Sequence, residues 1–375
     1  MREKIGVFFG GNSLEHEISI ITAMQVIKAL DKSKYEVLLL YMTKDNKIYY
    51  GKYLENQNNY LDIDRLKKEC TKVVLKYNND ETYIISDELK YIKKKIDLII
   101  PIFHGKGVED GNISALLSSL NIPYTTSYLT SASLCQDKVF SKMILNENHF
   151  NVLDYEFYYK DDFDVSKVNL EYPIIVKPAT LGSSIGINIA KDEDELENFV
   201  ELAFCYDDKI LLESALTRFQ EFNCSALKCN NEIVCSNIEE VIKSDEILSY
   251  KDKYENGSME CVKRILPAKI NNELEEVIKE TTKAAYRLLE CRGVVRIDYL
   301  YDLKTKKLFL NEINTIPGSL AFYLWEDKDI RFDRLLDLMM DQARLDFQEE
   351  KRKITNYDNM KILKNIRFNK WFYKI

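Results

Sequence analysis

The segment "GVVRIDYLYDLKTKKLFLNEINTIPG", residues 293–318, has the pattern of two apolar strands joined by a short polar turn. Side chains alternate between the two faces of a strand, so Arg296 and Asp298 share one face of the first strand. For the same reason Glu312 and Asn314 share one face of the second strand. Two carboxylates and an amide are the hard ligands that Mg²⁺ takes alongside phosphate oxygens, and a neighbouring arginine would hold an anion. A solvated hairpin face with cross-strand ion pairs is the alternative, but the apolar residues around the four groups favour burial.

The first third of the chain alternates short apolar strands with amphipathic helices. This rhythm is typical of βαβ units, and it predicts a parallel sheet. Residues 44–95 are rich in Lys and Asn and are predicted to be an insertion or a meandering edge. Strands are predicted at residues 4–9, 35–42 and 96–103, and helices near 18–30 and 112–119.

The remainder of the chain divides into two further units. A helix around 137–148 and strands flanking "ATLGSS" form the second unit, and strands at 222–229 and 232–242, a helix at 271–291 and the closing hairpin form the third. We therefore expect an α/β protein, α+β in its C-terminal half, with an N-terminal Rossmann-like parallel-sheet domain. The predicted units span residues 1–125, 126–210 and 211–348, followed by a basic aromatic tail at 349–375.

A glycine-serine loop follows one of the apolar strands. "VKPATLGSSIG", residues 176–186, places Lys177 at the end of the strand and small residues directly after it. Small residues let backbone N–H groups approach phosphate oxygens, and the lysine adds a point charge. The segment is not a GxxxxGK[ST] motif, and the alternative is an ordinary turn between two strands.

Two loops rich in glycine and acidic residues follow strands of the predicted parallel sheet. "FFGGNSLEHEIS", residues 8–19, carries Glu15, and "FHGKGVEDG", residues 103–111, carries His104. Ligands of open parallel sheets bind at the carboxyl ends of the strands, so a common cleft is expected. Glu15 could instead cap a helix, and His104 could be a satisfied loop histidine.

The composition argues against nucleic-acid-binding, membrane-spanning and disulfide-rich classes of protein. The 375 residues are 46% hydrophobic and 30% charged, and the formal net charge of -8 disfavours nucleic acid as the main partner. The longest apolar runs fall well short of the roughly 18 to 20 residues of a membrane span. The start of the chain enters strand-like sequence at once, which predicts a cytoplasmic protein. Eight scattered cysteines are expected to be reduced thiols, and three histidines are too few for a histidine-rich metal centre.

Seven motifs in collinear order resemble those of the D-alanine-D-alanine ligases, which belong to the ATP-grasp superfamily. They are "GGNSLEHEIS", "HGKGVEDG", "DKVFSK", "KPATLGSSIG", "KY" at 253 and 254, "RGVVRIDYL" and "NEINTIPG". The resemblance runs from about residue 4 to residue 340 and implies an ATP-grasp fold. It also implies that ATP phosphorylates the carboxylate of one D-alanine and that the amine of a second attacks the acyl phosphate, giving the dipeptide of peptidoglycan.

The resemblance assigns the nucleotide and metal ligands by position. Lys138 and Lys177 would contact ATP phosphates, and Lys253 would join them from a loop. Two acids fall where the family holds adenine and ribose, although one extra residue lies between them. The implied ATP ligands are Lys138, Lys177, Ser184, Glu213, Glu221 and Lys253, and the implied Mg²⁺ ligands are Asp298, Glu312 and Asn314. Two Mg²⁺ ions are expected, with Mn²⁺ as a possible substitute.

The resemblance also assigns substrate contacts. Glu15 would take the ammonium of the first amino acid and be linked through Ser183 to Tyr254. Arg296 and the backbone N–H of Gly318 would stabilise the oxyanion of the tetrahedral intermediate. His104, Ser319 and Leu320 are the expected contacts of the amino-acid substrates. Members that make an ester lack the Lys-Tyr pair at 253 and 254, so an amine nucleophile is favoured.

Three departures from the family pattern concern the substrate end. Val108 replaces a glycine and Ser114 a glutamine in the second glycine-rich loop. The family's Ser-Leu or Ser-Met, which receives the carboxylate of the second substrate, lies further from Pro-Gly than Ser319-Leu320 does here. The deletion is about four residues, more than one helical turn. The deletion leaves the motifs for ATP and metal binding intact, and it alters the expected pocket for the second amino acid.

The lead prediction is a D-alanine-D-alanine ligase acting on small molecules, with no stable membrane insertion and with a homodimer as the expected assembly. Two alternatives stay open: a ligase of the same mechanism with another amino-acid, peptide or amine acceptor, and a nucleotide-binding protein without turnover. The tail at 349–375 holds eight Lys or Arg against three acids. It fits a membrane or nucleic-acid surface, or docking on the protein's own body or a dimer mate, and we favour docking.

Overall fold

The computed structural model describes residues 2–86, 92–242, 263–328 and 330–354 of the protein. Within these ranges the strands form three sheets, of seven, four and five strands. The predicted mixture of α/β and α+β organisation is confirmed. The polar loop at 243–262, which carries Lys253 and Tyr254, and residues 355–375 of the tail lie outside the described residues.

The seven-stranded sheet has the order β6-β5-β4-β3-β2-β1-β7. Its centre is parallel, because β1 pairs in parallel with both β2 and β7, while β3 to β6 form an antiparallel meander on one edge. The prediction of a parallel sheet with a meandering edge is therefore confirmed. The strands are β1 (Glu3–Gly10), β2 (Tyr35–Met42), β3 (Ile48–Tyr50), β4 (Thr71–Asn78), β5 (Glu81–Ser86), β6 (Lys93–Ile96) and β7 (Leu98–Ile102).

The helices near this sheet place two loops at the same edge. The loop after β1 leads into α1 (His16–Ala29), and the loop after β7 leads into α3 (Asn112–Ser119). Parallel neighbours end at one edge of a sheet, so both loops meet there, as expected from the sequence. The other helices are α2 (Ile63–Glu69), α4 (Leu129–Gln136), α5 (Lys138–Glu147), α6 (Glu193–Phe204), α7 (Asn272–Leu288) and α8 (Phe332–Arg352).

The four-stranded sheet has the order β10-β9-β11-β8. Its apolar residues pack against α6, with Val176, Ile210 and Leu196 among the buried side chains. The boundary predicted between residues 210 and 211 falls inside β11, which pairs with β9 and β8. The strands are β8 (Tyr155–Tyr159), β9 (Ile174–Pro178), β10 (Asn188–Ala190) and β11 (Lys209–Ser214).

The five-stranded sheet has the order β14-β13-β12-β15-β16 and is antiparallel throughout. Apolar side chains such as Phe222, Ile297 and Tyr299 pack with Ile278 of α7 on one face. Most of the intervening residues of β12 and β15, such as Asn223, Arg296 and Asp298, are polar and occupy the other face, as the alternation of a strand requires. The strands are β12 (Phe219–Cys229), β13 (Glu232–Ile242), β14 (Lys263–Ile265), β15 (Val295–Asp302) and β16 (Leu308–Asn314).

A 3₁₀ segment, Gly318–Leu324, connects the five-stranded sheet to the core of the first sheet. Leu320, Leu324 and Trp325 belong to the same hydrophobic cluster as residues of β1, α1 and α8. This packing holds the end of the hairpin against the N-terminal sheet. Further 3₁₀ segments are Lys52–Glu55, Gln57–Leu61, Val165–Lys167 and Glu326–Lys328.

Two findings concern the class of protein. None of the helices in the described part of the chain combines the length and the apolar character that a membrane span needs. Each of the seven cysteines in the described ranges is free, as the sequence predicts.

Truncation of Trp325 tests whether the 3₁₀ segment anchors the hairpin to the first sheet. Trp325 is 1% exposed, so Trp325→Ala removes a large buried side chain and should lower the free energy of unfolding by about 3–5 kcal/mol. Urea denaturation measures the loss. Leu61→Ala is the control, because Leu61 is 87% exposed and its truncation should cost less than about 0.5 kcal/mol. Equal effects of the two variants would contradict the anchoring role.

Candidate active site

Elements of all three sheets converge on a cavity of about 860 Å³. Its wall includes the loops after β1 and β7, the start of α5, the glycine-serine loop after β9, and the polar face of the five-stranded sheet. The motifs that are far apart in sequence therefore share one space. Thirteen predicted site residues line the cavity: Glu15, His104, Lys138, Lys177, Ser183, Ser184, Glu221, Arg296, Asp298, Glu312, Asn314, Gly318 and Ser319.

The hairpin brings its four polar groups together in the predicted way. In the register of β15 and β16, Asp298 lies opposite Glu312 and Arg296 lies opposite Asn314. The Arg296 guanidinium donates through Nε and Nη2 to the two oxygens of Asp298 at 2.6 and 2.8 Å. Asn314 Nδ2 donates to Asp298 Oδ2 at 3.1 Å. The pairing of strands, rather than sequence proximity, thus creates the cluster.

The electrostatics of the hairpin face favour a bound cation. Burial raises the pKa of Asp298 to about 6, and the negative charges of Glu312 and Glu221 add to this rise although Arg296 opposes it. The described residues contain no group of three or more His, Cys, Asp or Glu side chains arranged to hold a metal ion. Two carboxylates and an amide still fit Mg²⁺, because this ion completes its octahedral shell with waters and substrate phosphates.

A buried ion triad lies beside the start of the glycine-serine loop. Lys142 and Lys177 both pair with the carboxylate of Glu213, which is fully buried; the Lys142 Nζ to Glu213 Oε1 distance is 2.5 Å. Burial alone would raise the pKa of Glu213, but the two ammonium groups outweigh it and lower the pKa to about 2. Lys177 also donates to Asn311 Oδ1 at 3.3 Å. The lysine is therefore fixed where the glycine-serine loop begins.

Glu213 does not line the cavity, although the resemblance implies a nucleotide contact at this position. Its side chain is fully buried and points to the two lysines instead. Glu221 does line the cavity. Lys138, at the first position of α5, donates to the carbonyl of Leu181 and lies 4.0 Å from Glu312 Oε2. It therefore connects the glycine-serine loop to the hairpin.

The glycine-serine loop adopts an unusual backbone. Ser183 and Ser184 have φ values of 52° and 58°, in the left-handed region that non-glycine residues rarely occupy. Such conformations cost energy and concentrate at ligand-binding sites. Ser183 Oγ donates to Glu15 Oε1, which is the link that the resemblance implies.

Two glycines make room for the Glu15 carboxylate. A Cβ added at Gly105 or at Gly182 would lie 2.8 or 2.9 Å from Glu15 Oε2. These distances are shorter than normal contacts, so any larger residue would displace the carboxylate. Glu15 is 7% exposed and stands at the N-terminus of α1. A carboxylate enclosed in this way is suited to hold one small cationic group.

His104 and Ser319 meet through Thr22. His104 Nε2 lies 3.1 Å from Thr22 Oγ1, and the Ser319 backbone N–H donates to the same oxygen at 3.2 Å. Burial lowers the pKa of His104 to about 4, so its imidazole is neutral at pH 7. Leu320 lies apart from the other predicted site residues, because its side chain is 2% exposed in the hydrophobic core.

Several cavity or support residues were not predicted as site residues, among them Lys142, Glu109, Glu239 and Arg264. Lys142 and Glu109 had a sequence signal: Lys142 lies one helical turn after Lys138, and Glu109 lies in a glycine-rich loop. Glu239 on β13 and Arg264 on β14 line the cavity without any such signal. Strand pairing alone brings these two residues to the site.

Two family models match the chain. The D-ala D-ala ligase N-terminus model covers residues 4–127, and the D-ala D-ala ligase C-terminus model covers residues 140–341. Together they span most of the chain and all of the cavity-lining residues except a few between them.

Named relatives match over nearly their whole length. The D-alanine--D-alanine ligase of Thermosipho africanus is 39% identical over 359 residues, which cover 94% of this chain and 96% of the relative. The D-alanine--D-alanine ligase of Caldicellulosiruptor bescii is 36% identical, with 91% and 94% covered.

Solved structures with a similar fold include enzymes with different second substrates. The D-alanine-D-alanine ligase from Coxiella burnetii has a TM-score of 0.81 at 25% identity and covers 94% of this chain and 96% of its own. The D-Ala:D-Ser ligase VanG from Enterococcus faecalis has a TM-score of 0.78 at 26% identity, with 92% and 100% covered. With its motifs gathered in one cavity and both family models matched, the chain belongs to the D-alanine-D-alanine ligase family of the ATP-grasp fold.

Proposed function

We propose that the protein joins two D-alanine molecules to D-alanyl-D-alanine at the expense of ATP, through an acyl-phosphate intermediate, for peptidoglycan synthesis. One observation carries the proposal: the enclosed Glu15 carboxylate, Lys138 and Lys177, and the hairpin acids all line a single cavity. These are the groups that an ammonium, a polyphosphate and a divalent cation require. The names of the relatives agree with this chemistry.

We propose that ATP binds with its base at the apolar end of the cavity. Side chains of the four-stranded sheet and its flanks, including Ile175, Ile189 and Leu216, line this end. The phosphates then reach Lys138 and Lys177 and the backbone N–H groups of the glycine-serine loop. Glu213 contributes indirectly, since its carboxylate holds Lys177 in position.

Asp298, Glu312 and Asn314 are proposed to hold Mg²⁺, which would neutralise the β- and γ-phosphates when bound. Phosphoryl transfer depends mostly on positioning and on charge stabilisation, so no protein nucleophile is needed. Arg296 keeps Asp298 oriented through its paired hydrogen bonds. Mn²⁺ could replace Mg²⁺ with the same ligands.

The first D-alanine binds with its ammonium on Glu15. Its carboxylate oxygen attacks the γ-phosphorus of ATP, ADP leaves, and an acyl phosphate forms. The neutral amine of the second D-alanine attacks the acyl carbon and gives a tetrahedral oxyanion, to which Arg296 and the Gly318 N–H donate. Collapse of this intermediate expels phosphate, which carries away the former carboxylate oxygen, and the amine proton passes to phosphate or water.

The alternative is a ligase of the same mechanism with a different acceptor. The similarity to a D-Ala:D-Ser ligase and the shortened segment after Gly318 favour keeping this candidate. The expected homodimer, the cytoplasmic location and the absence of stable membrane insertion stay predictions.

Glu109 is proposed to limit the charge of the ammonium site. Its carboxylate accepts from the backbone N–H groups of Gly105 at 3.0 Å and Ile316 at 3.2 Å. Burial and the negative charge of Glu15 raise the pKa of Glu109 to about 8. At pH 7 Glu109 is therefore mostly protonated, and Glu15 alone balances the single ammonium of the substrate.

Activity with a panel of amino acids tests the function. ADP formation should depend on D-alanine, and mass spectrometry should detect D-alanyl-D-alanine.

Glu312→Gln and Arg296→Met should each lower the rate at least about 100-fold while circular dichroism stays unchanged, because they remove charge stabilisation of phosphoryl and acyl transfer. ATP turnover with a different acceptor only would support the alternative. Binding of ATP without turnover on any amino acid would mean a nucleotide-binding protein, and full activity of both variants would refute their assigned roles.

The raised pKa of Glu109 should appear in the pH dependence of stability. An unfolded glutamate has a pKa near 4.3, so between about pH 5 and pH 8 the folded protein holds a proton that the unfolded chain releases. The contribution of Glu109 to the free energy of unfolding should therefore fall with rising pH, by up to about 1.4 kcal/mol per pH unit. Glu109→Gln should lose this contribution, so its pH profile should diverge from that of the unmodified protein, while the exposed control Glu147→Gln should follow the unmodified profile. Parallel pH profiles of Glu109→Gln and the unmodified protein in urea denaturation would contradict the raised pKa.

A further inference from the structure

Ser319 and Leu320 are expected contacts of the amino-acid substrates, but their backbone N–H groups bond within the protein. The Ser319 N–H donates to Thr22 Oγ1 at 3.2 Å, and the Leu320 N–H donates to the Pro317 carbonyl at 2.8 Å. Ser319, Leu320 and Ala321 all have φ near +50°, which turns the chain sharply after Gly318. These two backbone N–H groups are therefore not available to a carboxylate at this end of the cavity, which leaves side-chain donors.

Two guanidinium groups line the cavity within the described residues, and they differ in the hydrogen bonds that they already make. Arg296 is held by two short hydrogen bonds to Asp298. Arg264 on β14 has a looser contact, because its Nη1 atom lies 3.6 Å from Glu239 Oε2. This distance exceeds that of a hydrogen bond, so the Arg264 N–H donors remain able to bind an anion.

Glu239 and Tyr323 hold Arg264 in place. Glu239 is 1% exposed, and its Oε1 atom accepts from Asn223 Nδ2 at 2.8 Å and from the Tyr323 hydroxyl at 3.0 Å. Glu239 Oε2 makes no hydrogen bond within the described part of the chain and faces the Arg264 guanidinium. The guanidinium carbon lies 4.9 Å from the centroid of the Tyr323 ring.

Tyr323 connects this cluster to the shortened corner. It belongs to the same 3₁₀ segment as Gly318 and Ser319, and both it and Gly318 line the cavity. Burial raises the pKa of Tyr323 to about 12, with a contribution from the charge of Glu239, so the hydroxyl stays a donor at neutral pH. The segment that removes the expected carboxylate site thus carries the ring against which Arg264 rests.

We propose that Arg264 binds the carboxylate of the second substrate, with Glu239 and Tyr323 as positioning residues. The inference rests on the proposed function and makes it more specific: the acceptor is an α-amino acid with a free carboxylate, such as D-alanine or D-serine, and not a simple amine. A planar guanidinium matches a carboxylate with two parallel hydrogen bonds. The amine of the acceptor then points towards the acyl phosphate beside Arg296 and Gly318.

Competition between two acceptors tests the role of Arg264 directly. D-Alanine and D-alaninamide are mixed with ATP, and the ratio of the two products is measured by mass spectrometry. D-Alaninamide lacks a carboxylate, so it serves only as an acceptor. The unmodified protein should prefer D-alanine by about 10- to 100-fold, the effect expected of one lost charged hydrogen-bond pair. Arg264→Met should lose most of this preference, and Arg264→Lys should keep part of it.

Arg287→Met is the matched control. Arg287 is exposed on α7, which covers the opposite face of the five-stranded sheet, so its product ratio should equal that of the unmodified protein. An unchanged ratio in Arg264→Met, or an unmodified protein that uses both acceptors equally, overturns the inference. Trapping with hydroxylamine distinguishes failure of the Arg264 proposal from failure of the proposed function. If no D-alanine hydroxamate forms, the acyl phosphate of D-alanine is not made, and both proposals fall.

Discussion

The arrangement of the cavity depends on one buried ion triad, in which the Glu213 carboxylate lies between the ammonium groups of Lys142 and Lys177. Burying a single ion costs on the order of several kcal/mol, and this cost is offset only when partners surround it closely. The triad joins α5, β9 and β11, so one interaction sets the relative positions of a helix and two strands. Because Lys138 begins the same helix and Lys177 lies near the end of β9, the two lysines proposed to contact phosphate are positioned by the same buried carboxylate.

Much of the fold and of the polar cluster on the hairpin could be predicted from sequence, because strand geometry constrains both. A period of two and a short turn require Asp298 and Glu312 to meet across the hairpin, and the structure has them in register. The parallel strands that precede Glu15 and His104 end at one edge for equally simple reasons. The burial of Glu213 between two lysines could not be predicted in this way. A glutamate at a strand end suits a ligand or a buried partner equally well, and only the position of Lys142 decides between them.

The residues proposed to bind the second substrate could not be predicted from sequence, for a different physical reason. Arg264 and Glu239 come from paired strands separated in sequence by a polar loop, and neither residue belongs to a motif. The shortened segment after Gly318 was visible as a departure, but its consequence depends on tertiary packing. Leu320 turns into the core, where it joins the cluster around Trp325, and the backbone donors at this corner bond within the protein. We therefore propose that Arg264, a side chain of the five-stranded sheet, selects the second substrate.

The central claim is that D-alanine is activated by phosphorylation of its carboxylate inside this cavity. It is tested most directly with D-alanine carrying ¹⁸O in both carboxylate oxygens, with the released phosphate examined by ³¹P NMR. The account predicts that each inorganic phosphate formed together with dipeptide carries a single ¹⁸O atom, transferred from the substrate when the acyl phosphate is attacked. Dipeptide formation with unlabelled phosphate, or with the label in AMP, would contradict it.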